Sequence, residues 1–190
     1  MANQIDNIIK NRRATPARFL STKDIPKDVI ENLLENANWA PTHKKTEPWR
    51  FKIFLGDAKQ KLAEDASKLL KEKVAAGESI NEQKIDKFKD ALERVPVVIA
   101  IILNRSSTDL LPEWEEVAAV SISVQNMWLT ATSLGLGAFW ASPDSMKHLS
   151  ELLNLKENQK PMGFFYVGEI AMDYPSQGRG DINDKVEWNE

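Results

Sequence analysis

A group of three arginines near the start of the chain has the composition of a phosphate-binding site. Arg12, Arg13 and Arg18 fall within seven residues, on a predicted loop between two helices. An arginine side chain presents a rigid fork of N–H donors, which matches the oxygens of a phosphate group. The same cations could instead stabilise the end of the first helix, where positive charge offsets the helix dipole. From these residues alone, the solvated helix end is the simpler interpretation.

A second polar segment connects a predicted helix to a predicted strand, between Pro41 and Pro48. Pro41 ends the helix because its ring removes a backbone donor and biases the preceding residue away from helical geometry. The loop carries hydroxyl groups and cations, including Thr42, His43 and Lys45. An alternating aromatic run follows Pro48 and predicts a strand. A cationic loop held between two elements could bind an anionic ligand.

A third segment, which begins at Gly135, combines two glycines with a short apolar run. Gly135 and Gly137 are typical of a helix end, and a buried strand is the simplest interpretation of the residues that follow. Trp140, Ala141 and Ser142 could also form a flat apolar wall with backbone donors, which a planar aromatic ligand needs.

The composition argues against several other kinds of site. The 190-residue chain has no cysteine and two histidines, so disulfides and thiolate catalysis are excluded and a histidine-rich metal site is not expected. The net charge of −3 argues against a nucleic-acid partner. With no apolar run of membrane-spanning length and no secretory signal, we expect a cytoplasmic protein without a membrane partner. The sequence also lacks a Walker loop, a Ser-His-Asp order and a Gly-x-Gly-x-x-Gly fingerprint.

Hydrophobic periodicity predicts an α+β fold in which helices surround a sheet of four or five strands. The predicted helices cover residues 4–11, 26–39, 56–75, 80–93, 112–134 and 144–153. The predicted strands cover residues 49–55, 95–103, 137–141 and 162–170. Helix 112–134 is apolar on most faces, which predicts burial under the sheet or along a subunit interface. Glu113, Glu115 and Glu116 are predicted to form its first turn, and His148 is predicted to be exposed.

Four motifs, in the expected order, resemble the FMN-dependent nitroreductase family and in particular its short, compact branch. They are Arg12-Arg13-Ala14 with Arg18-Phe19, Ala40-Pro41-Thr42 with Glu47-Pro48-Trp49, Gly135-Leu136-Gly137 followed by Trp140, and Gly178-Arg179-Gly180-Asp181 followed by Val186-Glu187-Trp188. The chain departs from the family pattern at three positions, because Ala14 replaces a serine, Lys45 an asparagine and Glu47 a glutamine.

The resemblance implies a nitroreductase-like three-layer sandwich with a mostly antiparallel central sheet flanked by helices. It also implies a single domain over residues 1–190 and an intertwined homodimer, in which a C-terminal arm of about residues 171–190 packs on the partner subunit. Each of two FMN sites would lie at the interface. One chain would supply the phosphate cations and the other the Thr42–Thr46 loop.

The same resemblance implies an NAD(P)H-dependent flavin oxidoreductase. Hydride from NADH or NADPH would pass through FMN to a small organic acceptor, such as a nitroaromatic or a quinone, by a ping-pong mechanism. FMN N5 would carry the chemistry, so neither a catalytic side chain nor a metal is expected. The residues expected to bind the cofactor are Arg12, Arg13, Ala14, Arg18, Pro41, Thr42, His43, Lys45, Trp140, Ala141, Ser142 and Arg179. Among these, Arg18 or Lys45 would place a cation near flavin N1 and O2.

Two other functions stay open at the level of sequence. The replacements at Ala14, Lys45 and Glu47 also suit a flavin-binding sensor or carrier without efficient turnover. A helical binding module that has lost its flavin is the second alternative. The physiological electron acceptor and the choice between NADH and NADPH do not follow from the sequence.

Overall fold

The computed structural model of the chain describes residues 3–108, 111–174 and 178–189, without the side chain of Asp144. Five α-helices and four β-strands form the described part of the chain. The helices are α1 (Gln4–Asn11), α2 (Lys27–Asn38), α3 (Gly56–Ala75), α4 (Glu82–Arg94) and α5 (Glu113–Ser133). The strands are β1 (Trp49–Phe54), β2 (Val97–Asn104), β3 (Leu136–Ala141) and β4 (Gln159–Glu169). The predicted α+β class and the antiparallel central sheet are confirmed.

The four strands form one sheet in the order β1-β2-β4-β3, and every neighbouring pair is antiparallel. The register between β2 and β4 shifts at Ile101 and Ile102, opposite Gly163 and Pro161. Because Pro161 has no backbone N–H to donate to the neighbouring strand, a β-bulge is expected at this place. The shift bends β4 next to the end of β3.

Alternating side chains of the sheet face two separate cores. On one face of β2, residues such as Ile99 and Ile101 pack with α2 and α5. On the other face, Val98 and Ala100 pack with α3, α4 and the segment after β3. This period-2 alternation between two helical layers produces the three-layer sandwich.

Residues 14–20, together with the two residues that follow β4, close the β3 edge of the sheet. Thr15 N–H donates to the Ala138 carbonyl at 2.8 Å, and Ala14 forms a parallel bridge to the same strand residue. Ala171 N–H donates to Phe19 O at 2.9 Å. Gly137 permits this approach because a Cβ there would lie 2.6 Å from the Leu20 side chain. The loop after α1 is therefore fixed beside the first half of β3 and the end of β4.

Three details of the sequence prediction are wrong. The predicted helix 144–153 is a 3₁₀ helix over Asp144–Leu149 followed by turns. β4 begins at Gln159, before the predicted start at 162, because the residues before the bulge still pair with β2. His148 is not exposed, since 11% of its side chain is accessible to solvent. The 3₁₀ helix turns it against the loop that precedes α4.

Candidate functional site

Three guanidinium groups meet at a small cavity of about 440 Å³ between α1, α5 and the C-terminal segment. Arg12 and Arg13 directly follow α1, whereas Arg179 lies 166 residues after Arg13 in the sequence. Sequence reasoning grouped these three residues, and the structure brings them together. Their role as cofactor ligands stays a prediction.

The orientation of Arg12 and Arg13 follows from how α1 ends. Arg13 Nη1 donates to the carbonyls of Lys10 and Arg12 at 2.5 and 2.8 Å, which satisfies groups at the helix C-terminus. The Arg12 guanidinium lies over the Trp128 ring at 4.6 Å, and Trp128 Nε1 donates to the Arg13 carbonyl at 3.0 Å. One indole of α5 thus holds both arginines in place.

The charges at this cavity repel one another. Partial burial, followed by the proximity of Arg179 and Arg13, lowers the pKa of Arg12. A cluster of like charges in a half-buried cavity is stabilised by an anion, and a phosphate group fits the donor chemistry of guanidinium groups.

A larger groove of about 940 Å³ lies beyond the other end of the same loop. Arg18, Trp140, Ala141 and Ser142 all line it, so four more of the predicted residues lie together. Phe139, Tyr166 and Pro16 add apolar surface. The groove therefore has the flat, mostly apolar wall that a planar ring system requires.

The position of Trp140 depends on the bulge in β4. Its Nε1 donates to the Met162 carbonyl at 3.0 Å. Gly163 has a φ of +132°, and a Cβ there would lie 2.5 Å from Trp140 Nε1 and from the Ala141 carbonyl. A side chain at residue 163 would displace this wall of the groove.

The opposite wall of the groove comes from α4, which sequence reasoning missed. Lys84, Lys87, Phe88 and Ala91 recur at helical spacing and all line the groove. The lysines alternate with aspartates in the sequence, which is the pattern of a solvated helix face. The signal that could have identified them is that both lysines lie on the same face as Phe88, which is buried.

The proline-bounded loop lies elsewhere in the same chain. His43 Nδ1 is 2.6 Å from Glu115 Oε2 in the first turn of α5, whereas Arg12 stacks on Trp128 near the end of that helix. About 20 Å of helix separates these two points. The predicted residues Pro41, Thr42, His43 and Lys45 therefore line neither the cationic cavity nor the groove of their own chain.

This loop has an unusual backbone. Lys44, Lys45 and Glu47 have positive φ values of 50°, 54° and 43°. Thr42 Oγ1 accepts a hydrogen bond from Glu47 N–H at 3.2 Å and lies 3.1 Å from Thr46 Oγ1. Left-handed non-glycine residues are costly and concentrate at functional sites, where surrounding contacts hold them.

Comparison with known proteins agrees with this geometry. A model of the Nitroreductase family matches residues 9–169. The "Putative NAD(P)H nitroreductase YfhC" of Bacillus subtilis is 28% identical over 175 residues, which cover 90% of this chain and 84% of that protein. A nitroreductase-like family protein from Bacillus cereus superposes with a TM-score of 0.82 at 27% identity, covering 100% of this chain and 98% of that one. The FMN-dependent nitroreductase NfnB of Mycobacterium smegmatis, solved with NADPH, gives a TM-score of 0.77 at 17% identity, covering 97% of both chains.

The fold and the matched residues define an oxidoreductase of the nitroreductase type. The chain belongs to the Nitroreductase family, which confirms the family predicted from the four motifs. The predicted class of enzyme, an NAD(P)H-dependent flavin oxidoreductase, is confirmed with it. None of the helices among the described residues has the length and hydropathy needed to cross a membrane.

Proposed function

We propose that the chain binds FMN along the loop that follows α1, with the phosphate at Arg12, Arg13 and Arg179 and the ring system in the groove. One observation carries this proposal. The loop from Arg12 to Arg18 runs beside β3 and has a cationic cavity at one end and an apolar groove at the other. FMN has the same two parts, an anionic phosphate and a flat ring, joined by a flexible ribityl chain.

The residues of the groove fit the needs of a flavin ring. Trp140, Ala141 and Ser142 line one wall of the groove, and the edge of the flavin ring would meet the backbone N–H groups of this segment. Arg18 and Lys87 place cations beside the groove, where they favour negative charge on the bound ring. Ala14 cannot donate a side-chain hydrogen bond to the phosphate, so the arginines carry that interaction.

Bound FMN would supply the two-electron redox chemistry between NADH or NADPH and a second substrate. The side chains of this protein orient the two substrates in turn and exclude water from the ring. We infer a ping-pong mechanism, because one groove would receive both the reductant and the acceptor. The acceptor would be a small flat molecule that stacks in the groove, such as a nitroaromatic or a quinone.

We also propose that the site is completed by a homodimer in which the Thr42–Thr46 loop of one subunit reaches the FMN of the other. The separation of this loop from the cationic cavity within one chain supports this arrangement. Apolar side chains exposed on α1 and α5, including Ile5, Ile9 and Trp114, offer a surface for the partner.

A C-terminal arm that packs on the partner remains part of this proposal. Val186 and Trp188 of the arm are exposed, and 80% of Trp188 is accessible to solvent. An arm that ends in exposed apolar residues is expected to dock on a surface. Residues 175–177 and 190 of the predicted arm, and residues 1, 2, 109 and 110 of the predicted single domain, lie outside the described residues.

The test is spectroscopic and kinetic. Purified protein should show flavin absorbance, release FMN on heating, and oxidise NADH or NADPH with a quinone or a nitroaromatic, giving parallel double-reciprocal plots. An R12Q/R179Q variant should lose bound FMN while K68Q, on the exposed face of α3, should retain it. Yellow protein without turnover would favour a carrier, and a colourless protein that takes up no FMN would overturn the proposal.

A further inference from the structure

One end of the groove carries two arginines that come from different elements. Arg94 is the last residue of α4, and Arg18 lies in the 3₁₀ turn that packs on this helix. A Cβ at Gly168 would lie 3.2 Å from Leu20 Cβ and 3.2 Å from Pro96 Cδ, so the two chain segments meet at this glycine. Each arginine stands two residues before one of these contact residues. Arg18 and Arg94 therefore belong to the same end of the groove.

The opposite end of the groove is lined by Lys84 and Pro143. The ten residues of α4 from Lys84 to Arg94 correspond to about 15 Å of helix. Asp144, whose side chain lies outside the described residues, directly follows Pro143, so its backbone belongs to this opposite end. A groove of this length and volume has room for a substrate that stacks on a flavin ring and extends a substituent toward the arginines.

The arginine end of the groove carries an excess of positive charge. Arg18, Lys87 and Arg94 line it, and Asp90 is the one carboxylate among the described residues of the lining. All four side chains are exposed, so the ammonium and guanidinium groups stay charged and hydrated in the absence of a ligand. Three cations against one carboxylate favour a ligand that carries negative charge.

The other carboxylates in the second half of α4 are engaged away from the groove. Asp86 pairs with Lys71 of α3 at 2.9 Å, and Glu93 pairs with Lys89 at 2.7 Å. Neither aspartate nor glutamate of these two pairs lines the groove. The helix therefore places its ion pairs on the faces that point away from the groove and leaves a cationic face toward it.

We propose that the electron acceptor of this enzyme is an aromatic compound with an acidic substituent, and that Arg94 binds this substituent while the ring stacks in the groove. The inference rests on the proposed function, because it requires the flavin ring to lie in the same groove. A guanidinium group binds a carboxylate through two parallel N–H···O contacts, and Arg18 adds positive charge beside it. The contact fixes the orientation of the acceptor over the flavin.

The acidic substituent takes no part in the bond changes. With a nitroarene as acceptor, NADH or NADPH supplies a hydride by way of the flavin, and solvent supplies one proton. An N–O bond breaks, the oxygen leaves as water, and the products are a nitrosoarene and the oxidised nicotinamide. Arg94 is therefore a specificity residue, and its removal should change the choice of acceptor while the reduction of the flavin continues.

The kinetic test compares 4-nitrobenzoate with 4-nitrobenzamide in the intact FMN-loaded enzyme. The two compounds have nearly the same shape, and only the benzoate is charged at neutral pH. R94Q should lower the ratio of kcat/KM for the benzoate to kcat/KM for the benzamide by roughly two- to fivefold, as expected for one exposed charge contact. Because this ratio is compared between proteins, the different intrinsic reactivities of the two nitro compounds cancel.

Two further variants separate the charge of Arg94 from any structural role. R94K keeps the charge and should retain most of the wild-type ratio, and K68Q, on the exposed face of α3, should leave the ratio unchanged. Added salt should lower the ratio of wild type more than that of R94Q, because salt screens exposed charges. Flavin absorbance shows whether each variant has folded, and the salt dependence of wild type tests the contact without any variant.

A binding test needs no turnover. Benzoate and benzamide, which the enzyme does not reduce, are titrated into the oxidised enzyme, and the flavin difference spectrum gives each Kd. Wild type should bind benzoate more tightly than benzamide, and R94Q should lose most of this difference. Equal affinity of wild type for the two compounds, or unchanged ratios in R94Q, would overturn this inference alone. A protein that binds no FMN, or that oxidises neither nicotinamide with a quinone or a nitroaromatic, would instead overturn the proposed function.

Discussion

Arg179 brings a third guanidinium to a cavity that already holds Arg12 and Arg13. In the protein without FMN, partial burial lowers the pKa of Arg12, and repulsion from Arg179 and Arg13 lowers it further. R179Q removes part of that repulsion together with the other contacts of Arg179, so the stability of the apoprotein should change little. The same change should weaken FMN binding about tenfold or more, because a charge-assisted hydrogen bond contributes roughly 1.5–3 kcal/mol.

Two measurements on one variant check this expectation. Thermal unfolding measures the stability of the apoprotein, and quenching of FMN fluorescence measures its affinity for FMN. K68Q, which removes an equal charge from a solvated helix, should change neither. A destabilised apo-R179Q with normal FMN affinity would show that Arg179 has a structural role.

Tyr166 places a polar hydroxyl group in the core without a hydrogen bond from the described residues. Its hydroxyl is buried and has no hydrogen-bond partner among the described residues. Y166F should therefore leave the unfolding free energy of the apoprotein unchanged or raise it by up to about 1 kcal/mol, since an unsatisfied buried hydroxyl is itself costly. Urea denaturation measures the difference. Y174F, which removes the same atom from a partly exposed ring, is the control.

The same hydroxyl should affect stability at alkaline pH. Burial raises the pKa of Tyr166 well above its usual range. Because the folded-state pKa exceeds the unfolded value, stability is complete below about pH 10 and is lost as pH rises toward the folded-state pKa. Y166F cannot ionise, so its stability should decline less steeply than that of wild type above about pH 10. Parallel decline of the two proteins would mean that the phenol is not desolvated.

At the level of elements, the loop before β1 combines strain with charge. A non-glycine residue in left-handed geometry costs about 1–2 kcal/mol, and asparagine tolerates it better than lysine. K45N should thus stabilise the apoprotein by up to about 1 kcal/mol. If Lys45 contacts FMN across the dimer, the same variant should bind FMN a few fold less tightly.

K44N is a matched control for this effect. Lys44 has nearly the same φ as Lys45, but it is not among the predicted cofactor ligands. It should give a similar gain in unfolding free energy with unchanged FMN affinity. If K45N and K44N lost FMN affinity equally, the loss would come from the changed loop geometry, and Lys45 would not be a ligand of FMN.

The elements were largely predictable from sequence because their periodicity is local. The run Val97–Leu103 is continuous, apolar and rich in β-branched residues, which favours a buried strand. The proline before α5, followed by three glutamates, marks a helix start. The partners of those glutamates were not predictable. Glu115 contacts His43, and Glu116 is buried against Arg105 at 3.1 Å. Contacts of this kind depend on tertiary packing, which no local pattern specifies.

The candidate site was likewise predictable from the sequence only in part. The arginines and the Trp140 segment were identified because each forms a compact motif with a resemblance behind it. Lys84 and Lys87 were missed because a cation on an amphipathic helix has the same pattern whether it faces water or a groove. The bulge that positions Trp140 was also hidden, since it depends on which residues of β2 lie opposite Gly163.

For the whole molecule, the decisive question is whether the two halves of the site come from two chains. α1 buries none of its residues, and Ile5 and Ile9 are 56% and 50% exposed. Such a helix gains little from packing on its own chain, so a partner surface is expected to cover it. I5E places a charge on that exposed face, away from the residues that line the cationic cavity, and should convert the dimer to monomers.

Loss of the dimer should carry loss of FMN with it, because the Thr42–Thr46 loop would leave the site. Sedimentation velocity measures the first effect and bound flavin absorbance the second, at the same protein concentration. The control is L55E, since Leu55 is 41% exposed and lies at the start of α3, in the opposite helical layer. L55E should stay dimeric and yellow. A wild type that is monomeric, or an I5E monomer that binds FMN as tightly as wild type, would show that one chain forms the site alone.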